Sequence, residues 1–280
     1  MNVQIIQVPY DSGHKDDRMG KGPARLASRI MQDDRFRGVQ FDAAKVEEEF
    51  PLEVGTTFHV LRVLSDKVRE AVAQDRLPLV LAGGCISAIG TLAGIGHSTG
   101  VLWLDAHGDF NTPETTISGF LDGMALATLV GRCWKNLSAT INGFRPVPER
   151  QTILLGARDF DSAEKSLLDH SAVTQISPRA VHETSVVEAL RPALATLRSL
   201  TPGIYLHIDL DVLDPSQARV NQFAVADGLT VSELLDVVRL VREHFLLAAV
   251  AITAYDPSYD EGDRALEAAL KLVRVLHEPH

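Results

Sequence analysis

Asp105, His107 and Asp109 lie two residues apart in the run Asp105-Ala-His107-Gly-Asp109, and Asp209 and Asp211 repeat that spacing in Asp209-Leu-Asp211-Val-Leu-Asp214-Pro215. In extended chain, residues two apart project to the same side, so each run can aim its polar groups at one point. Four carboxylates brought to one place repel strongly unless a cation lies among them. Carboxylate oxygens with one imidazole suit Mn²⁺, and Fe, Co, Ni or Zn accept the same donors. The bland alternative is that these acids cap helix N-termini. A single Asp-x-Asp would favour that alternative; two such runs, one containing His, favour a metal.

Both runs follow apolar stretches of strand length, Val101-Leu-Trp-Leu104 and Leu206-His-Ile208. Similar short runs recur along the chain and predict strands near Val3–Val8, Gly38–Ala43, Leu77–Ala82, Val101–Asp105, Thr152–Gly156, Val173–Ile176, Ile204–Ile208 and Ala248–Thr253. Segments of helical period between them predict helices at Ala24–Met31, Val54–Ala73, Ser87–Ile95, Leu121–Val130, Ala163–Asp169, Val186–Ser199, Val231–Phe245 and Asp263–His277. Thr230-Val-Ser-Glu233 has the capping-box form and fixes the start of one of them. This alternation is that of an α/β fold, a parallel sheet with helices on its faces. No linker or repeat interrupts it, so residues 1–280 read as a single domain. Such folds place ligands at the carboxyl ends of their strands, which directs attention to the loops after Ala82, Leu104 and Ile208. Gly94-Ile-Gly96-His-Ser-Thr-Gly100 comes after a helix rather than a strand, and reads as helix termination rather than a phosphate loop.

Composition excludes several classes of function. Across 280 residues, 45% hydrophobic and 23% charged residues are globular values, unlike a disordered chain or a coiled coil. Twenty-seven Lys and Arg against 37 Asp and Glu give a formal charge of −10, which repels nucleic acid and anionic membranes. Cys85 and Cys133 are too few for a disulfide framework. No signal peptide is visible at the start, and apolar runs such as Phe245 to Ile252 fall short of the roughly 20 residues of a membrane span. The expectation is a soluble cytoplasmic protein with a small-molecule substrate.

The runs at 105–109 and 209–215 resemble the two signature motifs of the arginase/agmatinase/formiminoglutamase (ureohydrolase) family. The resemblance extends to Gly20-Lys-Gly22-Pro23, Asn111-Thr112, Ser118-Gly119, Leu155-Gly-Ala-Arg158-Asp159-Phe-Asp161 and Gly228-Leu-Thr230. It implies a three-layer α/β/α domain with a parallel, about eight-stranded sheet. It also implies two Mn²⁺ ions bridged by Asp105 and Asp209, with Asp109 completing one position and His107 with Asp211 the other. The implied reaction is attack of a metal-activated hydroxide, oriented by Asp109, on the sp² carbon of a guanidine, amidine or formimino group, breaking a C–N bond. Asn111, Ser118, Asp161 and Glu164 fall on the side that holds the rest of the substrate, where the two acids favour an amine. Asp161 has an alternative role as a helix cap. The family forms trimers or hexamers, so a homo-oligomer is implied.

The sequence departs from the family at three places. Where the family has Gly-Gly-Asp-His-Ser, with its His a metal ligand, this chain has Gly83-Gly84-Cys85-Ile86-Ser87. Three readings of Cys85 stand open: a thiolate ligand, a buried inert thiol and a nucleophile. If Cys85 is not a ligand, one metal remains at Asp105, His107, Asp209 and Asp211. Asp122 replaces a proton-transferring His and reads either as a proton shuttle or as a helix N-cap. Ala254 replaces a guanidinium-gripping Glu, and Asp256, two residues on, is the substitute expected to face the cavity. Strict arginase activity is therefore doubtful. The rivals are a catalytically silent binding or regulatory relative, and a one-metal amide hydrolase resembling the deacetylases. His207, on the same strand face as Asp209, is expected beneath the metals.

Overall fold

The computed structural model describes residues 2–47, 50–96 and 99–278. Eight strands form one sheet: β1 (Val3–Val8), β4 (Gln40–Ala43), β5 (Leu77–Ala82), β6 (Gly100–Leu104), β7 (Thr152–Leu155), β8 (Thr174–Ile176), β9 (Gly203–Asp209) and β10 (Leu246–Thr253). A small antiparallel pair, β2 (Tyr10–Asp11) and β3 (His14–Lys15), lies apart from it. Every pairing in the large sheet is parallel, in the order β4-β1-β5-β10-β9-β6-β7-β8. All positions of β5, β6, β7 and β9 are buried, as they must be in strands covered on both faces.

Among the described residues ten helices lie between the strands or after the last of them: α1 (Gly22–Met31), α2 (Glu53–Ala73), α3 (Ser87–Ile95), α4 (Ala125–Leu129), α5 (Lys135–Ser138), α6 (Ser162–Asp169), α7 (Pro178–Glu183), α8 (Val186–Leu200), α9 (Val231–His244) and α10 (Arg264–His277). The alternation of side chains along β1 divides the core. Val3 and Ile5 pack with Leu26 of α1, Leu190 of α8, Leu234 of α9 and Leu266 of α10. Ile6 and Val8 pack on the other face with Leu61 of α2, Ile89 of α3 and Leu126 of α4. The result is the three-layer α/β/α fold with a parallel sheet that the sequence implied.

All eight strands read from apolar runs are present, with ends shifted by one or two residues. The stretch Leu121–Val130 differs: it opens as a 3₁₀ turn at Asp122–Met124 before α4 begins. α5 is too short to leave a periodic pattern. α7 carries a local signal, the Ser177 hydroxyl capping the Ala180 N–H with Pro178 in the first turn. Gly96 ends α3 in the left-handed region at φ 73, the termination read from the sequence, while His97 and Ser98 lie outside the described residues. No helix among the described residues is long and apolar enough to cross a membrane.

The strand order has a direct consequence for the site. β5, β10, β9 and β6 are adjacent, so the residues at and beyond their carboxyl ends, Cys85, Ala254, Asp209 to Asp211, and Asp105 to Asp109, gather at one edge of the sheet.

Candidate metal centre

Asp105 leaves the end of β6 and is buried. Its Oδ2 accepts from the Trp103 indole at 3.0 Å, and its Oδ1 accepts the His107 backbone N–H at 2.8 Å. His107 Nδ1 stands 3.3 Å from Asp105 Oδ1 and 3.4 Å from Asp211 Oδ2, so one imidazole touches an acid from each run. Asp209 closes β9. Its Oδ1 accepts the Asp211 N–H at 2.8 Å and its Oδ2 accepts from Cys85 Sγ at 2.9 Å. Asp211 lies on a 3₁₀ turn, Leu210–Val212, rather than on the strand, and Oδ1 takes the Ala106 N–H at 3.2 Å. Asn221 Nδ2 reaches Asp211 Oδ2 at 3.3 Å.

Two groups of donors result, Cys85 with Asp105 and Asp209, and Asp105 with His107 and Asp211; within each group the ligand atoms lie within 4.8 Å of one another. Burial and mutual proximity push Asp105, Asp109 and Asp209 above the usual carboxylate range. Burial works against the charge on His107, yet the flanking Asp211 and Asp105 raise its pKa. Burial also opposes the charge on Asp211, but the imidazole beside it holds its carboxyl down. Asp109 Oδ2 is buried and has no protein partner. Crowded acids with an orphaned oxygen are the donor set that a divalent cation satisfies, and the residues fit one.

These groups line a cavity of about 370 Å³ whose walls carry eight carboxylates against the one imidazole. Asp109 reaches it from a left-handed backbone at φ 50, and Asp122 from the 3₁₀ turn that opens α4. Asp122 does not cap its own helix. Its Oδ1 accepts the Ile86 N–H at the start of α3 at 2.9 Å, and its Oδ2 has no partner. Burial raises its pKa to about 7 against that hydrogen bond. Gly84 makes the approach feasible, since a Cβ there would run into the Asp122 carboxylate.

Asn111, Ser118, Asp161 and Glu164 also line the cavity. Asn111 Nδ2 donates to Asp161 Oδ2 at 3.1 Å, and Ser118 Oγ accepts the Phe120 N–H at 3.2 Å. The Glu164 oxygens hold the backbone N–H groups of Phe110 at 2.8 Å and Asp161 at 3.2 Å. Asp256 is not where the sequence expected it. It does not line the cavity, and its Oδ1 takes the Ser258 N–H at 2.9 Å in a turn. The expectation assumed two-residue alternation, which fails because β10 ends at Thr253 and Ala254 adopts the left-handed region at φ 61. Ala254 itself faces the cavity without a charge.

Beneath the floor, His207 stacks on Trp103 with ring centroids 3.6 Å apart, and its Nδ1 meets the Tyr205 hydroxyl at 2.9 Å. Complete burial lowers its pKa to about 3, so the ring is neutral and acts through Trp103, whose N–H holds Asp105.

Sequence reasoning missed Asn221, Phe223 and Phe120. The two Phe rings form one wall, 5.6 Å apart, and Asn221 ties Asp211 to the Ala254 carbonyl at 3.0 Å. All three sit in loops without periodicity. The larger omission is the role of Arg158. Its guanidinium donates to the carbonyls of Gly156, Asp211, Val212, Leu213, Val225 and Ala226 over 2.7–3.4 Å, pinning the loop that carries Asp211. Arg158→Met is expected to lower stability by about 2–3 kcal/mol, because the buried carbonyls lose charge-assisted donors. It should also weaken divalent-cation binding; calorimetric titration of wild type and variant, alongside urea unfolding, checks both.

A profile of the arginase family matches residues 1–277. The arginase of Bacillus caldovelox is 33% identical over 98% of this chain and 97% of its own length. Among solved structures, arginase from Bacillus cereus superposes with a TM-score of 0.88 at 27% identity, covering 99% of both chains. Formimidoylglutamase from Bacillus subtilis shares the fold at a TM-score of 0.81 and 18% identity, covering 99% of this chain and 86% of that one.

Proposed function

The chain belongs to the arginase family and is a metal-dependent hydrolase of C–N bonds, and from that premise we propose that its substrate is a small cationic guanidine, amidine or formimino compound. The observation that carries the reading is the gathering of Asp105, His107 and Asp211 at two adjacent strand ends with their ligand atoms within 4.8 Å of one another, and of Asp209 beside Asp105 in a second such group. Asp105, His107, Asp109, Asp209 and Asp211 would hold the ion, Mn²⁺ by donor type. A divalent ion bound there supplies Lewis acidity and lowers the pKa of water toward neutrality.

The remaining work falls to the chain's own side chains. Asp109, with one oxygen unpartnered, orients the attacking water. Asp122 Oδ2 receives a proton and returns it to the departing nitrogen, while Oδ1 stays fixed on the Ile86 N–H. Asn111, Ser118, Asp161 and Glu164 form the wall that accepts the substrate's amine-bearing end. Phe120 and Phe223 supply an apolar face that excludes water. With Ala254 at the inner wall, no carboxylate grips a guanidinium from that side, so arginine itself is not the favoured substrate.

We further assign residues 1–280 to one domain, because strands from both ends of the sequence share one sheet. A cytoplasmic, homo-oligomeric protein is part of the same reading and is tested by fractionation and sedimentation. A one-metal mode is the second reading, in which Asp105, His107 and Asp211 serve as a donor group without Cys85.

The test is metal analysis followed by urea, ammonia and formamide release over guanidines, amidines, formimino compounds and amides. Turnover on an amidine-type substrate is the expected result. Full metal loading with no turnover on any of them would establish a silent relative, and turnover on amides alone the deacetylase-like alternative.

A further inference from the structure

Cys85 and Ile86 occupy the turn between β5 and α3, and only one of them faces the cavity. Cys85 lines it, whereas Ile86 points the other way, against Val8, Tyr10 and Thr57. Cys85 Sγ lies 2.9 Å from Asp209 Oδ2 and 3.3 Å from Thr253 Oγ1, and it shares with Asp105 and Asp209 a space in which all ligand atoms fall within 4.8 Å. The unpartnered and buried Asp109 Oδ2 belongs to the same cavity and supplies an independent sign that something positive is to be held there. Cys133 provides the internal contrast. It too is buried, but it lies in the apolar cluster against Thr128 and does not line this acidic cavity.

We propose that Cys85 ligates a divalent cation through its sulfur, together with Asp105 and Asp209, and that this position is selective for a thiophilic ion such as Zn²⁺, Fe²⁺ or Co²⁺. The inference rests on the metal reading of the site and makes it more specific. On binding, the S–H bond breaks, a sulfur–metal bond forms, and the proton leaves to solvent; no electron changes hands. The charge of the cation is what stabilises the sulfur anion that results. The neighbouring donors, Asp105 with His107 and Asp211, are oxygen and imidazole only and suit Mn²⁺. Asp105 belongs to both groups, so the two positions are unlike in chemistry while sharing one carboxylate.

A nucleophilic role for Cys85 does not fit this geometry. Burial, and after it the carboxylates around the sulfur, push its pKa well above that of a free thiol, and the imidazole of His107 is engaged by Asp105 and Asp211.

Co²⁺ is the probe, added to chelator-treated full-length protein as wild type, Cys85→Ser and Cys133→Ser. Wild type and Cys133→Ser should develop an intense sulfur-to-cobalt charge-transfer band in the near ultraviolet, absent from Cys85→Ser. Zn²⁺ affinity should fall at least about tenfold in Cys85→Ser, with Mn²⁺ binding at the second group little changed. Co²⁺ bound without the band in wild type, or a band that persists in Cys85→Ser, overturns the thiolate ligand alone. No Co²⁺ binding at all overturns it together with the metal reading beneath it.

Discussion

Asp209→Asn should abolish turnover, lowering kcat/KM by at least about 10³-fold, which corresponds to ~4 kcal/mol of transition-state stabilisation. Asp209 sits between the two donor groups, with one oxygen on the Asp211 N–H and the other 2.9 Å from Cys85 Sγ. Asparagine keeps the volume and the acceptor toward Asp211, so the fold survives and only the negative charge is lost. That charge is what a divalent cation needs. It is also what the metal-free protein tolerates least, since burial and the neighbouring Asp211 and Asp105 push Asp209 far above its ordinary range. The variant should therefore melt no lower than wild type when both are chelated. Wild type should gain about 2.7 kcal/mol on adding a divalent ion at one hundred times its dissociation constant. Asp209→Asn should gain much less. Calorimetry with and without metal separates the terms, and a wild-type gain in the variant would remove Asp209 from the centre.

Asp122→Asn isolates the proton step. Its Oδ1 would still accept the Ile86 N–H at the head of α3, so thermal stability should stay within about 1 kcal/mol of wild type. The other atom changes from an unpartnered oxygen to an amide nitrogen that cannot receive a proton. The expected loss is about 10²-fold or more in kcat with KM little altered, the range for removal of a positioned acid or base. Steady-state kinetics on the best substrate of the screen reads the split. A raised KM with kcat intact would instead make Asp122 a binding residue.

The two acidic runs were legible because strand geometry fixes the direction in which residues at a strand end project. Asp105 and His107 still obey that geometry, and Trp103 and His207 beneath them alternate as buried strands require. Legibility ended where the backbone left the extended region. Asp211 reaches the site from a 3₁₀ turn, so its spacing from Asp209 predicted its company but not its path. Asp256 was misplaced because a single left-handed residue, Ala254, turned the chain beyond it away from the cavity. Sequence alone also left the role of Cys85 open between ligand, inert thiol and nucleophile, since the direction of a side chain in a buried turn is not set by local spacing. Arg158 was visible as part of a motif, but its six carbonyl partners come from three separate loop segments that no local pattern connects.

The place of β10 between β5 and β9 governs when during its own synthesis the protein can bring Cys85 to Asp209. β10 comes after both neighbours in sequence, and Cys85 and Asp209, adjacent in space, are 124 residues apart along the chain. A nascent chain that has not yet emitted Leu246–Thr253 has nothing to join β5 to β9, and the loop entropy of bringing their ends together stays uncompensated. Capture of an ion by Cys85 therefore belongs to the end of translation, whereas Asp105, His107 and Asp211 stand at the ends of the directly paired β6 and β9. Ribosome-stalled chains ending before Leu246 should lack the cation position that Cys85 shares with Asp105 and Asp209, although all three ligand residues are already present.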